Sequence, residues 1–251
     1  MANRISIFGK KKFNKNEELE LNNLLNYEAP FAVREAYLRL CTNIMYIPSE
    51  KRCKTIVVTS SVQGEGKTLL AVNIALGLSN YIGNNKVLLI DSDLRCSKMY
   101  RLFGDEDSGA HGLSEFLVGS DDEIVVSKNS AYKSLDIVYS GSFVPNPASL
   151  LSSKKLRDAV SKFEEIYDYI IIDAPPVELV TDALLYSSFV DGYIISARAD
   201  YSNINHVNEA VDAISDVNGK VLGVVLNSVK SKRIKNSGCT TYRAEDLATK
   251  N

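Results

Sequence analysis

Between Thr55 and Leu78 the chain passes from a β-branched apolar run (TIVVT, 55–59) through a glycine-bearing turn (SSVQGEGKT, 60–68). It then enters a stretch with apolar residues at helical spacing, Leu70, Ile74 and Leu78. A strand, a tight turn and a helix start in that order aim several backbone N–H groups at one point, where the helix dipole also favours an anion. The strict phosphate-loop pattern has glycine six residues before the lysine, and this chain has Ser61 there. Gly64 and Gly66 still permit close backbone approach, Lys67 supplies a charge for phosphate, and Thr68 supplies a hydroxyl for Mg²⁺. The plainer reading is a glycine turn before a helix that opens with Lys-Thr; the strand–loop–helix context argues against it.

Two further apolar runs end in carboxylates. Lys86 to Asp91 leads into Asp91-Ser92-Asp93, and Tyr169 to Asp173 leads into Asp173-Ala174-Pro175-Pro176. Continuous apolar runs suit strands buried on both faces of a parallel sheet, and such sheets bind ligands at the carboxyl ends of their strands. Each aspartate alone has a commoner role as a turn or capping residue. Two such strand ends beside the loop suit Mg²⁺ and the orientation of a nucleophile. Strands also read at 134–139, 192–198 and 221–226, alternating with helices at 31–45, 112–117, 153–167, 182–189 and 203–217. The expected fold is therefore α/β: a P-loop NTPase with a central, mostly parallel sheet flanked by helices on both faces.

The 251 residues carry a formal charge of only −2, so no overall field recruits nucleic acid. Four scattered cysteines and two histidines lack metal-site or disulfide spacing. No apolar run is long enough for a membrane span and no secretory leader is evident, so a cytoplasmic location is expected. Residues 1–29 are polar and read as an exposed arm, 30–229 as the nucleotide-binding domain, and 230–251 as a flexible tail. Gly64-x-Gly66 lacks the third glycine of a dinucleotide fingerprint, which weighs against an oxidoreductase.

With GEGKT, LLIDSDLR (88–95), IIIDAPP (170–176) and NPASLLSS (from Asn146) in hand, residues 27–228 resemble the bacterial tyrosine kinases. The likeness is to the Gram-positive type of capsular or exopolysaccharide synthesis. The resemblance implies that Gly64, Glu65, Gly66, Lys67, Thr68 and Leu69 bind ATP, with Thr68, Asp93 and Asp173 serving Mg²⁺. It implies Asp91 as the base for the tyrosine hydroxyl, with Lys67, Asp93 and Asp173 completing the catalytic set. It further implies a separate transmembrane activator, or polysaccharide co-polymerase chain, that recruits the kinase to the inner face of the membrane. The family's Glu-x-x-Arg-x-x-Arg element reads Glu35, Leu38 and Cys41 here, so a homo-oligomer would lack the guanidinium contacts that close the family's ring. The family's tyrosine-rich tail is reduced to Tyr242, the candidate phosphoacceptor. The alternative class is a nucleotide switch that hydrolyses ATP without phosphorylating protein.

Overall fold

Seven strands form one sheet in the order β3-β4-β2-β5-β1-β6-β7. They are β1 (Lys54–Ser60), β2 (Val87–Asp91), β3 (Ser127–Lys128), β4 (Leu135–Val138), β5 (Tyr169–Asp173), β6 (Gly192–Arg198) and β7 (Val221–Asn227). All neighbours are parallel except β3, which runs antiparallel to β4 at the edge. The computed structural model describes residues 24–26, 29–83, 85–97, 99–103, 111–128 and 132–229. Tyr242, most of the predicted N-terminal arm and the whole of the predicted tail lie outside the described residues.

The apolar runs of β1, β2 and β5 are continuous because each strand feeds two cores. In β5, Ile170 and Ile172 enter one cluster and Tyr169 and Ile171 the other; in β2, Leu88 and Ile90 oppose Val87 and Leu89. One face is covered by α1 (Phe31–Met45), α2 (Lys67–Leu76) and the short α3 (Met99–Phe103). The other is covered by α4 (Leu113–Val118), α5 (Pro147–Leu151), α6 (Lys154–Glu164) and α7 (Ile204–Asp216). Pro147 opens α5 at the position where a missing N–H costs nothing, and Ser153 caps α6 by accepting from the Leu156 N–H at 3.3 Å. The predicted helix at 182–189 is instead a tighter 3₁₀ segment, Thr181–Tyr186. At β7 the double burial ends: it is an edge strand, and Val224 and Leu226 are exposed.

The polar N-terminal reading needs one correction. Leu24 and Leu25 are buried in the α1–α2 core, and the Leu25 N–H donates to Asn73 Oδ1 at 2.7 Å. Cys41 is buried beside them; its Sγ lies 2.5 Å from where a Cβ on Gly77 would stand, so the end of α2 approaches α1 closely only because residue 77 is glycine. Leu25→Ala is expected to cost about 2–4 kcal/mol through lost burial and the cavity left behind. A urea unfolding midpoint equal to that of the unsubstituted chain would remove Leu25 from the core.

Candidate functional site

The phosphate-type loop follows β1, in the middle of the sheet. Gly64 (φ +88°) and Gly66 (φ +86°) both take the left-handed conformation, and Gly66 caps α2. Ser61, which occupies the place of the usual glycine, is fully buried. Its hydroxyl donates to both carboxylate oxygens of Glu65 at 2.9 Å. The Val62 N–H donates to the same carboxylate at 3.0 Å, and the Ser202 hydroxyl makes a further short bond to it. A buried carboxylate satisfied by several donors is a stable internal brace. The Glu65 side chain is thus turned into the protein, and what this residue can offer a phosphate is its backbone N–H. Leu69 likewise packs its half-buried side chain against the α1–α2 core.

The carboxylates gather because their strands are in register. Asp91 of β2 and Asp173 of β5 are direct partners at the ends of adjacent strands, and Val58 of β1 is the partner of Asp173 on its other side. Lys67 Nζ lies 3.0 Å from Asp93 Oδ2, 3.6 Å from Asp173 Oδ1 and 3.4 Å from Thr68 Oγ1. Burial opposes the Lys67 charge, but Asp173 and Asp93 outweigh that and hold its pKa above the usual lysine value. Asp91 is buried; burial and the neighbouring Asp173 push its carboxyl up to about 7. Its Oδ1 accepts the Asp93 N–H at 3.2 Å and its Oδ2 a short bond from the Ser97 hydroxyl. Burial also raises Asp173 above the usual carboxylate range, and its Oδ1 has no hydrogen-bond partner among the described residues.

Arg95 ties the 92–97 loop to the 3₁₀ segment through a forked pair with buried Asp182, at 2.8 and 3.1 Å. The sequence reading assigned no role to that pair, because Asp182 lies 87 residues away. Elsewhere, His206 is paired with Glu178 at 2.7 Å, with Glu209 4.0 Å away. All three are surface groups whose pairing accounts for the arrangement. Cys41, Cys53 and Cys96 are free thiols. The structure thus brings Lys67, Thr68, Asp91, Asp93 and Asp173 together, whereas Tyr242 lies outside the described residues.

A family model described as an AAA domain matches residues 53–224. The tyrosine-protein kinase CpsD of Streptococcus pneumoniae serotype 4 is 37% identical over 195 residues, covering 78% of this chain and 84% of the relative. The chain belongs to the bacterial tyrosine kinase family. The tyrosine-protein kinase YwqD of Bacillus subtilis is 30% identical over 86% of this chain and 90% of its own length. Among solved structures, the chimerical protein CapA2B2 superposes with a TM-score of 0.74 at 28% identity, covering 87% of this chain and 92% of that one. The kinase domain of Escherichia coli ETK gives 0.72 at 28% identity, covering 78% and 75%. The MinD cell division protein of Aquifex aeolicus in its complex with MinC, 23% identical with a TM-score of 0.61 and coverage of 74% and 72%, shares the fold.

Proposed function

We propose that this chain is an ATP-dependent tyrosine-protein kinase of a capsule or exopolysaccharide system, an autokinase that transfers a phosphoryl group from Mg-ATP to tyrosine. The observation that carries the reading is the convergence of Lys67, Asp91, Asp93 and Asp173 beside a glycine turn at the carboxyl edge of the sheet. Family membership supplies the acceptor class.

A divalent cation fits the donor set. Three buried carboxylates face one ammonium, two of them have raised pKa values, and Asp173 Oδ1 lacks a hydrogen bond. Such an excess of buried negative charge is costly without a further cation. Thr68, Asp93 and Asp173 are the residues assigned to hold Mg²⁺, which when bound neutralises charge on the transferred phosphoryl group. Lys67 and the loop N–H groups bind the phosphates. Asp91, buried at the end of its strand beside Asp173, is assigned to accept the proton of the tyrosine hydroxyl. Because Ser97 and the Asp93 N–H occupy its oxygens, the 92–97 loop must yield for a tyrosine to reach it.

No helix among the described residues is long and apolar enough to cross a membrane. Recruitment to the inner face of the membrane is assigned to a separate membrane-spanning activator, as the family resemblance implies. Tyr242 is the proposed phosphoacceptor.

The test is a phosphotyrosine assay of the full chain with Mg-ATP, alone and fused to the cytosolic segment of an activator, following ADP release in parallel. Phosphotyrosine mapped to Tyr242 and absent from Lys67→Met is the expected result. ADP release without phosphotyrosine would move the chain to the nucleotide-switch class.

A further inference from the structure

Three successive carbonyls of the loop are held by a single structural unit. At the end of β6 and in the turn that follows, three side chains donate to three successive carbonyls of the phosphate loop. Tyr201 Oη donates to the Gln63 oxygen at 3.0 Å, Arg198 Nη1 to the Gly64 oxygen at 3.2 Å, and Ser196 Oγ to the Glu65 oxygen at 2.8 Å. In a trans peptide each carbonyl points opposite to the N–H of the next residue. Tethering the oxygens of 63, 64 and 65 therefore turns the N–H groups of Gly64, Glu65 and Gly66 the other way as a set.

The turn is itself internally braced. Ser202 Oγ accepts the Arg198 N–H at 2.6 Å and makes the short bond to Glu65, and the Ser202 N–H donates to the Arg198 oxygen at 2.9 Å. The Arg198 guanidinium lies over the Tyr201 ring, 5.4 Å from its centroid. Asp200 adopts φ +61°, which tightens the turn.

We propose that Ser196, Arg198 and Tyr201 are positioning residues that aim the loop's N–H groups at the nucleotide phosphates, so that the turn after β6 sets the affinity for Mg-ATP. The proposal rests on nucleotide binding at this loop. It assigns the turn a role in binding distinct from that of Lys67 and the aspartates.

Tyr201 and Arg198 are exposed enough to be changed without opening the core. The experiment measures the Mg-ATP dissociation constant, the KM for ATP, kcat and the nucleotide-free melting temperature for Tyr201→Phe, Arg198→Met and the double variant. Each single change is expected to weaken Mg-ATP binding about threefold to tenfold, and the double change roughly thirtyfold. The corresponding rise in KM should leave kcat within about twofold, because a loop loosened by the substitution is held by the phosphates once the nucleotide is bound. Arg198→Lys, which keeps a donor and a cation, should recover part of the loss.

A double variant that binds Mg-ATP as tightly as the unsubstituted chain would overturn the proposal. So would loss of affinity that only tracks a falling melting temperature, since that marks a structural role. If the unsubstituted chain itself binds no Mg-ATP, the nucleotide reading fails and this inference with it.

Discussion

Lys67→Met is expected to lower the melting temperature of the nucleotide-free protein by roughly 5–10 °C, besides reducing phosphotyrosine formation by at least about a hundredfold. Besides its assigned role as a phosphate ligand, Lys67 is the ammonium facing Asp93 at 3.0 Å and Asp173 at 3.6 Å. Removing one member of a buried ion pair costs about 3–5 kcal/mol because the other charge is stranded. Part of that cost is relieved by protonation, since burial already raises Asp173 above the usual carboxylate range, so about 2–3 kcal/mol is the expected net loss. At about 2–4 °C per kcal/mol for a chain of this size, the shift is readily measured. Adding MgCl₂ should restore more of the melting temperature in Lys67→Met than it adds to the unsubstituted chain, since the variant carries the larger excess of carboxylate charge. Thermal melts with and without MgCl₂ check this; an unchanged melting temperature would mean that the carboxylates are compensated without Lys67.

That centre was legible because each part is local. A strand-like run ending in Asp, or a glycine turn ending in Lys-Thr, is written within ten residues, and the parallel fold gathers such ends at one edge. Strands 169–173 and 192–198 and helix 31–45 fall where the apolar spacing places them. What the sequence hides is non-local.

Ser61 reads as a defect in a motif until Ser202, 141 positions further on, is seen to share Glu65 with it. Leu24 and Leu25 sit in a polar, lysine- and asparagine-rich stretch, and only the groove between α1 and α2 shows where they go. β7 carries the same kind of apolar run as β5, yet its place at the sheet edge leaves Val224 and Leu226 exposed; strand order is a property of the whole chain, not of the segment. The two-residue β3 is too short to have any periodicity.

The contrast between the two loop glycines yields the second large effect. Both have positive φ, so alanine at either costs about 1–2 kcal/mol of backbone strain. Their surroundings differ. A Cβ on Gly64 would stand 3.4 Å from Tyr201 Oη, a contact that a surface side chain can accommodate. A Cβ on Gly66 would stand 2.4 Å from Asn227 Nδ2. To swing away, Asn227 must give up the bond in which its Oδ1 accepts the Ser228 N–H at 2.8 Å. Because Gly66 is also the residue from which α2 starts, the displacement is passed to Lys67. Gly66→Ala is therefore expected to weaken Mg-ATP binding about a hundredfold, and Gly64→Ala about tenfold. Adding Asn227→Gly to Gly66→Ala removes the clash but leaves the backbone strain, so it should recover about tenfold of the lost affinity. Titration of the four proteins with Mg-ATP distinguishes the two causes: no recovery in the double variant would assign the whole defect to the left-handed backbone at position 66.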